Sequence, residues 1–227
     1  MARSPISRGT CLYCGHETSK NMITKHLQSC PARKERREQA ALQGQPENLY
    51  HLRVEDAYDK RFWLHLEVRG STRLKQIDAY LRDIWLECCG HLSAFRPSLY
   101  GGEEFNMRRK VDSLFEPGQT ITHIYDFGTS SVTTLTSLGK STDVALSTHP
   151  LSLMARNLMP EAICMECDQP ATHFCMACLY EDEGEGLLCD EHLADHPHTD
   201  EDSPVALANS PRLGMCGYGG PAEPPYV

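Results

Sequence analysis

Phe62-Trp-Leu-His-Leu-Glu-Val68 places Phe62, Leu64, Leu66 and Val68 on one face and ends at Gly70. A period of two is the pattern of a strand with one side in a core. Just upstream, Leu49-Tyr-His-Leu-Arg-Val-Glu55 alternates more loosely, with Leu49, Leu52 and Val54 only roughly in step. The two runs predict an antiparallel pair. Leu74, Ile77, Leu81, Ile84 and Trp85 then recur at helical spacing, so an amphipathic helix from about Thr72 to Cys88 should cover one face of the sheet. Cys88 and Cys89 have no spaced partner and read as small apolar residues, with Gly90 as the stop.

Further strands are expected at His91–Phe95, in a hairpin of Ile121–Phe127 and Val132–Leu138 around Gly128, at Val144–Leu146 and at Leu151–Leu158. The fold class is therefore α+β: a largely antiparallel sheet with one main packed helix, flanked by two small zinc-binding modules.

Those modules are read from cysteine and histidine spacing. Cys11-Leu-Tyr-Cys14 is followed by His26 and Cys30. On a helix over Asn21–Cys30 the last two are one turn apart on the same face and reach one ion. Ile23 and Leu27 form a neighbouring stripe, a small core against Leu12 or Tyr13 and a candidate protein-binding surface. Far downstream come Cys164, Cys167, Cys175, Cys178, Cys189, His192, His196 and His198, almost all in Cys-x-x-Cys or Cys-x-x-His pairs. Eight such donors suit two ions, with His173 as a spare, and metal would supply most of the folding free energy of so short a segment. The cofactor expected is zinc, three ions in all. Redox-active or merely buried thiols are the alternative.

Three resemblances add to this. Cys11-Leu-Tyr-Cys-Gly15 with Ile23-Thr-Lys-His-Leu-Gln-Ser-Cys30 resembles the ubiquitin-binding (UBZ-type) CCHC finger. The C-terminal spacing resembles the B-box class, which implies interleaved ligands: Cys164, Cys167, Cys189 and His192 on one ion, Cys175, Cys178, His196 and His198 on the other. The middle resembles the plasmid pRiA4b ORF-3-like family, also found as insertion-element passengers. It does so through Tyr50-His-Leu-Arg-Val54, the Leu74–Trp85 helix, His91-Leu-x-x-Phe95 and Tyr125-Asp-Phe-Gly128. That likeness implies a fold and no settled activity. The organisation expected is a finger and basic helix at 1–45, the α+β domain at 46–160, the two-zinc module at 161–203 and a Gly/Pro-rich tail at 204–227, read as mobile, with a docking peptide or reactive thiol at Arg212, Cys216 and Tyr218 as the alternative.

Charge is unevenly distributed. Residues 1–45 carry 8 Lys+Arg against 3 Asp+Glu, whereas 161–227 carry 1 against 14. A basic head and an acidic tail point to separate partners or to mutual attraction. Arg33, Lys34, Arg36 and Arg37 are the candidate nucleic-acid contacts. No run reaches the roughly 18 apolar residues of a membrane span. Ligand-spaced cysteines and the lack of a secretory leader point to the reducing cytoplasm.

No catalytic residue is assigned. His65, His91, His123 and Asp126 could act as acids or bases, but there is no phosphate-cradling loop, nucleophile elbow or His-Glu-x-x-His pair. The leading expectation is a non-catalytic zinc adaptor that recognises a protein. A DNA- or RNA-binding accessory of a mobile element comes second and a hydrolase third.

Overall fold

The computed structural model describes residues 6–86, 90–181, 184–198, 204–215 and 218–219. Cys88, Cys89, Cys216 and the acidic Asp200–Asp202 lie outside them. The chain is α+β. Its centre is an eight-stranded, wholly antiparallel sheet formed by β1 (Arg8–Cys11), β2 (Glu17–Ser19), β3 (Glu47–Asp56), β4 (Trp63–Arg69), β5 (Ser93–Arg96), β6 (Thr120–Tyr125), β7 (Ser131–Asp143) and β8 (Leu151–Asn157). The order is β2-β1-β8-β4-β3-β7-β6-β5.

β3 and β4 pair from Leu49 opposite Arg69 to Glu55 opposite Trp63. Tyr50, Leu52 and Val54 line the main core with Leu64, Leu66 and Val68, so Tyr50 rather than Leu49 keeps step. A register shift between His51 and Leu52 in the β3–β7 pairing accompanies the loose alternation in the sequence. Helix α3 (Leu74–Leu81), continued by a π-helical turn at Arg82–Leu86, seals this face with Leu74, Ile77, Leu81, Ile84 and Trp85. Full burial of each such side chain contributes roughly 1.5–3 kcal/mol. The helix starts two residues later than the periodicity predicts, because Thr72 donates its hydroxyl to Pro150 O (2.6 Å). Gln76 accepts the Arg73 N–H (2.9 Å) and completes that end.

Val144–Leu146 is not a strand. Asp143 ends β7, its carboxylate accepting the Val144 N–H (2.8 Å), and the chain turns away. Asp126 follows β6 at φ 63°, and its Oδ1 accepts the N–H groups of Gly128 and Thr129. Asparagine and aspartate tolerate that left-handed conformation because their side chains bond locally in this way.

The opposite face of the sheet is covered by α1 (Lys20–Ser29) and α2 (Pro31–Ala41). Ile23 and Leu27 pack there with Cys11, Cys30, Trp63, Met154 and Ala155. At 0% and 1% exposure they are core, which corrects their assignment as a protein-binding surface. Residues 6–45 are thus built onto the sheet, since β1 pairs with β8 and not only with β2.

The C-terminal module has a small antiparallel sheet, β9 (His173–Phe174) between β10 (Leu187–Leu188) and β11 (Val205–Ala206), with α4 (Met176–Tyr180) and α5 (Asp190–Ala194). The next residues return to the body. Asn157 and Asn209 exchange hydrogen bonds at 2.7 and 2.9 Å, and Arg212, 3% exposed, reaches Ser131 Oγ at 2.9 Å. Residues 204–215 are therefore a docked strap, which corrects the expected mobile tail over that range.

Candidate metal centres

The first centre is assembled at the edge of the sheet. Cys11 ends β1. The chain then reverses through Cys14 and Gly15, whose N–H donates to Cys11 O (2.8 Å) and whose φ of 72° favours glycine. His26 projects from α1. Cys30 lies at the break between α1 and α2, with ψ 117° rather than helical, and Pro31 starts the next helix. Only ψ of Cys30 leaves the helix, so the break falls after the ligand and positions 26 and 30 still reach one cluster.

The four ligand atoms lie within 4.8 Å of one another. Cys11 and Cys30 sulfurs are 3.9 Å apart, and Cys14 Sγ is 3.3 Å from His26 Nε2. Burial pushes the Cys11 thiol up to about 12. Burial would raise Cys30 too, but the Arg33 N–H, the neighbouring Cys14 and Cys11 thiols and the Ala32 N–H together outweigh it and bring that thiol down. A buried sulfur pair of this kind is stable as thiolates only beside a cation.

The other two centres interleave. Cys164 and Cys167 meet Cys189 and His192, and Cys175 and Cys178 meet His196 and His198, each set again within 4.8 Å. In the first, His192 Nδ1 is 3.6, 3.5 and 3.3 Å from the sulfurs of Cys164, Cys167 and Cys189, and Cys167 is 3.9 Å from Cys189. In the second, His198 Nδ1 is 3.6 and 3.4 Å from Cys175 and Cys178, and His196 Nε2 is 3.4 Å from Cys178. Cys189 and Cys175 stand immediately before α5 and α4, where free N–H groups converge. Burial opposes ionisation of Cys164, but the N–H groups of Glu166, Cys189 and Cys167 prevail and hold it at about 6. Gly186, at φ 69°, passes so close to Cys175 O that a Cβ there would collide with it.

The spacings discriminate between chemistries. A disulfide needs sulfurs about 2.05 Å apart. A tetrahedral zinc with Zn–S near 2.3 Å and Zn–N near 2.0–2.1 Å has S···S edges of about 3.8 Å and S···N edges of about 3.6 Å. The values here, 3.9 Å and 3.3–3.6 Å, match the tetrahedron. The thiolate and imidazole donors fit a borderline-soft ion of that size.

His173 stands apart from both sets, bonded to the Thr172 hydroxyl (2.9 Å). Spacing did not reveal Glu181, whose carboxylate lies 3.4 Å from His198 Nε2 and can orient that ring from behind.

The remaining candidates do not form one site. Arg33 and Arg37 both pair with Glu67, Arg33 at 3.0 Å, and Arg37 also lies 3.2 Å from Asp143. Two of the four cations expected to meet phosphate are therefore engaged by the sheet, which corrects that assignment for them. Lys34 and Arg36 are exposed, and Arg36 stacks on the Tyr13 ring. His65 bonds His51 (2.7 Å) beneath the N-terminal helices, His123 bonds Asp78 (2.8 Å) in the core, and His91 faces Asp126 at 3.6 Å. Each histidine has a separate partner.

A scan of known family models finds no match, and neither does a search of curated proteins. Among solved structures, the chain is similar to a protein of unknown function, MM3350 from Methanosarcina mazei Go1. The identity is 14% and the TM-score 0.42, over 48% of this chain and 69% of that one. No helix among the described residues is long and apolar enough to cross a membrane.

Proposed function

We propose that the chain is a zinc-binding, non-catalytic interaction protein that holds three ions and recognises a protein partner through a surface its metal modules shape. The observation that carries this reading is the match of three Cys/His sets to tetrahedral edges, two of them interleaved in a segment with almost no core of its own. Within the same proposal the C-terminal module is B-box-like and the body pRiA4b ORF-3-like, on the motifs quoted above. Binding rather than catalysis is favoured because every cluster offers four protein donors, which leaves a tetrahedral ion no open position for substrate. The nucleic-acid reading has less support, since Glu67 engages Arg33 and Arg37.

The test is metal content by native mass spectrometry and elemental analysis of protein purified in zinc. Three zinc ions per chain are expected; one or none overturns the proposal.

A further inference from the structure

A cavity of about 620 Å³ opens where the C-terminal module meets the body. Its walls come from the end of β3 (Asp56), the β3–β4 loop (Tyr58), the β6–β7 loop, the connection into the metal module (Met159, Ile163) and the loop before β10 (Glu185). The strap residue Arg212 also lines it. The volume lies in the range of functional clefts, roughly 300–1,000 Å³.

The charges in this cleft are unbalanced. Its two cations are already engaged: Arg61 forks onto both oxygens of Asp59 at 2.9 and 3.0 Å, and Arg212 pairs with Asp126 at 3.5 Å. Three carboxylates form no such close pair, although Arg61 also acts on Glu185 electrostatically. Glu161 and Glu185 are exposed and form no ion pair among the described residues. Asp56 is only 6% exposed, and its Oδ1 takes the N–H groups of Tyr58 (2.9 Å) and Asp59 (2.6 Å). Lys60 acts on it electrostatically, but no close ion pair to it forms among the described residues. Burial raises this carboxyl above its usual range, the sign of a charge poorly compensated by the protein itself. The rim adds exposed Tyr58, Met159 and Ile163, residue types that make apolar contacts in protein interfaces.

We infer that this cleft receives a Lys- or Arg-bearing peptide segment of the protein partner, with a basic side chain entering toward Asp56 and an apolar neighbour resting on Tyr58, Met159 and Ile163. The long alkyl stem of such a side chain suits apolar walls, and its cationic head suits the carboxylates. The net charge of residues 161–227, one cation against 14 anions, draws the same partner and repels nucleic acid. The inference rests on the reading above that the chain binds a protein.

The test uses the full-length, zinc-loaded chain and a short fluorescein-labelled peptide of alternating lysine and leucine, followed by anisotropy. A peptide with glutamate for every lysine is the control, and spermidine is the competitor. The lysine peptide should bind and the glutamate peptide should not. D56N with E185Q should weaken binding about tenfold or more. The amide introduced by D56N keeps a carbonyl oxygen to accept the Tyr58 and Asp59 N–H groups, so the loop stays folded. No binding of the lysine peptide, equal binding to the double variant, equal binding of the glutamate peptide, or displacement by spermidine as effective as by unlabelled peptide overturns the inference. Zinc is counted on the same samples. Three ions without peptide binding remove the cleft alone, whereas a missing metal complement removes the proposed function itself.

Discussion

Cys11 stands opposite Ala155 in the β1–β8 register, so a residue of the first metal cluster is also a residue of the central sheet. The cluster and the body share backbone hydrogen bonds as well as the packing of Ile23 and Leu27 on Trp63 and Met154. An N-terminal finger on a linker would fold and unfold by itself. This one should not.

Loss of that centre should therefore weaken the body. Cys30→Ser is expected to lose one metal ion and lower the melting temperature of the whole sheet, with Trp63, buried at the junction, reporting the change by fluorescence. Ile23→Ala, which leaves the donors intact, should cost about 2–5 kcal/mol in urea unfolding. Unchanged body stability in both variants would show that the finger is energetically separate.

Glu67→Gln should also be costly. Its side chain is 6% exposed and faces two guanidinium groups that are themselves largely covered. Removing the carboxylate leaves two partly buried cations together, and a loss of roughly 2–4 kcal/mol is expected. Double-mutant cycles with Arg37→Met would assign how much belongs to that pair. A cost below about 0.5 kcal/mol, typical of an open surface position, would contradict the geometry.

The legibility of the sequence varied with the range of the signal. Leu64, Leu66 and Val68 announced their face, and α3 its stripe, because periodicity is local and one face is fully buried. Cys/His spacing marked the residues of all three clusters, since a tetrahedral ion tolerates few ways of reaching it from short turns. Other features depended on distant partners. Nothing in Arg8–Cys11 says that it will add to β8, some 145 residues away. The cations of α2 look like a solvated or phosphate-facing run until Glu67 is seen beneath them. Ile23 and Leu27 sit on a helix too short to reveal what covers it. The strap was obscured by its Gly and Pro content, although Arg212 is the lone cation after residue 160.

Acid should destabilise the body before it reaches the carboxylates. Burial, reinforced by Arg33 and Arg53, pushes His51 down to about 3, and burial with the same kind of repulsion keeps His65 well below 6.5. Both imidazoles stay neutral in the fold, whereas the unfolded chain takes up these protons below about 6.5. The folded state then binds fewer protons, so stability falls as pH drops from 6.5 toward 3. His51→Gln should flatten this slope by up to one proton, about 1.4 kcal/mol per pH unit. Comparing variant with parent cancels the acid sensitivity of the metal ligands. Identical slopes between pH 7 and pH 5 would count against a buried neutral pair.

The interleaving of the last two clusters makes a sharper demand on single substitutions. Cys167 and Cys178 are close in sequence, yet the first faces Cys189 and His192 and the second His196 and His198. A sequential arrangement would group Cys164, Cys167, Cys175 and Cys178 on one ion. With cobalt in place of zinc, Cys167→Ser should convert a site of three sulfurs and one nitrogen to one of two sulfurs, one nitrogen and an oxygen, or lose it, and leave the Cys175 site spectrally unchanged. Cys178→Ser should do the reverse, perturbing the site of two sulfurs and two nitrogens. Under sequential pairing both variants would alter the same all-sulfur centre. Because Cys175, Cys178 and Leu188 form the small core of this module, Cys178→Ser should also loosen the fold more than Cys167→Ser does. Gly186→Ala, which pushes against Cys175 O without removing a donor, should weaken the second ion's retention in a chelator competition while sparing the first cluster.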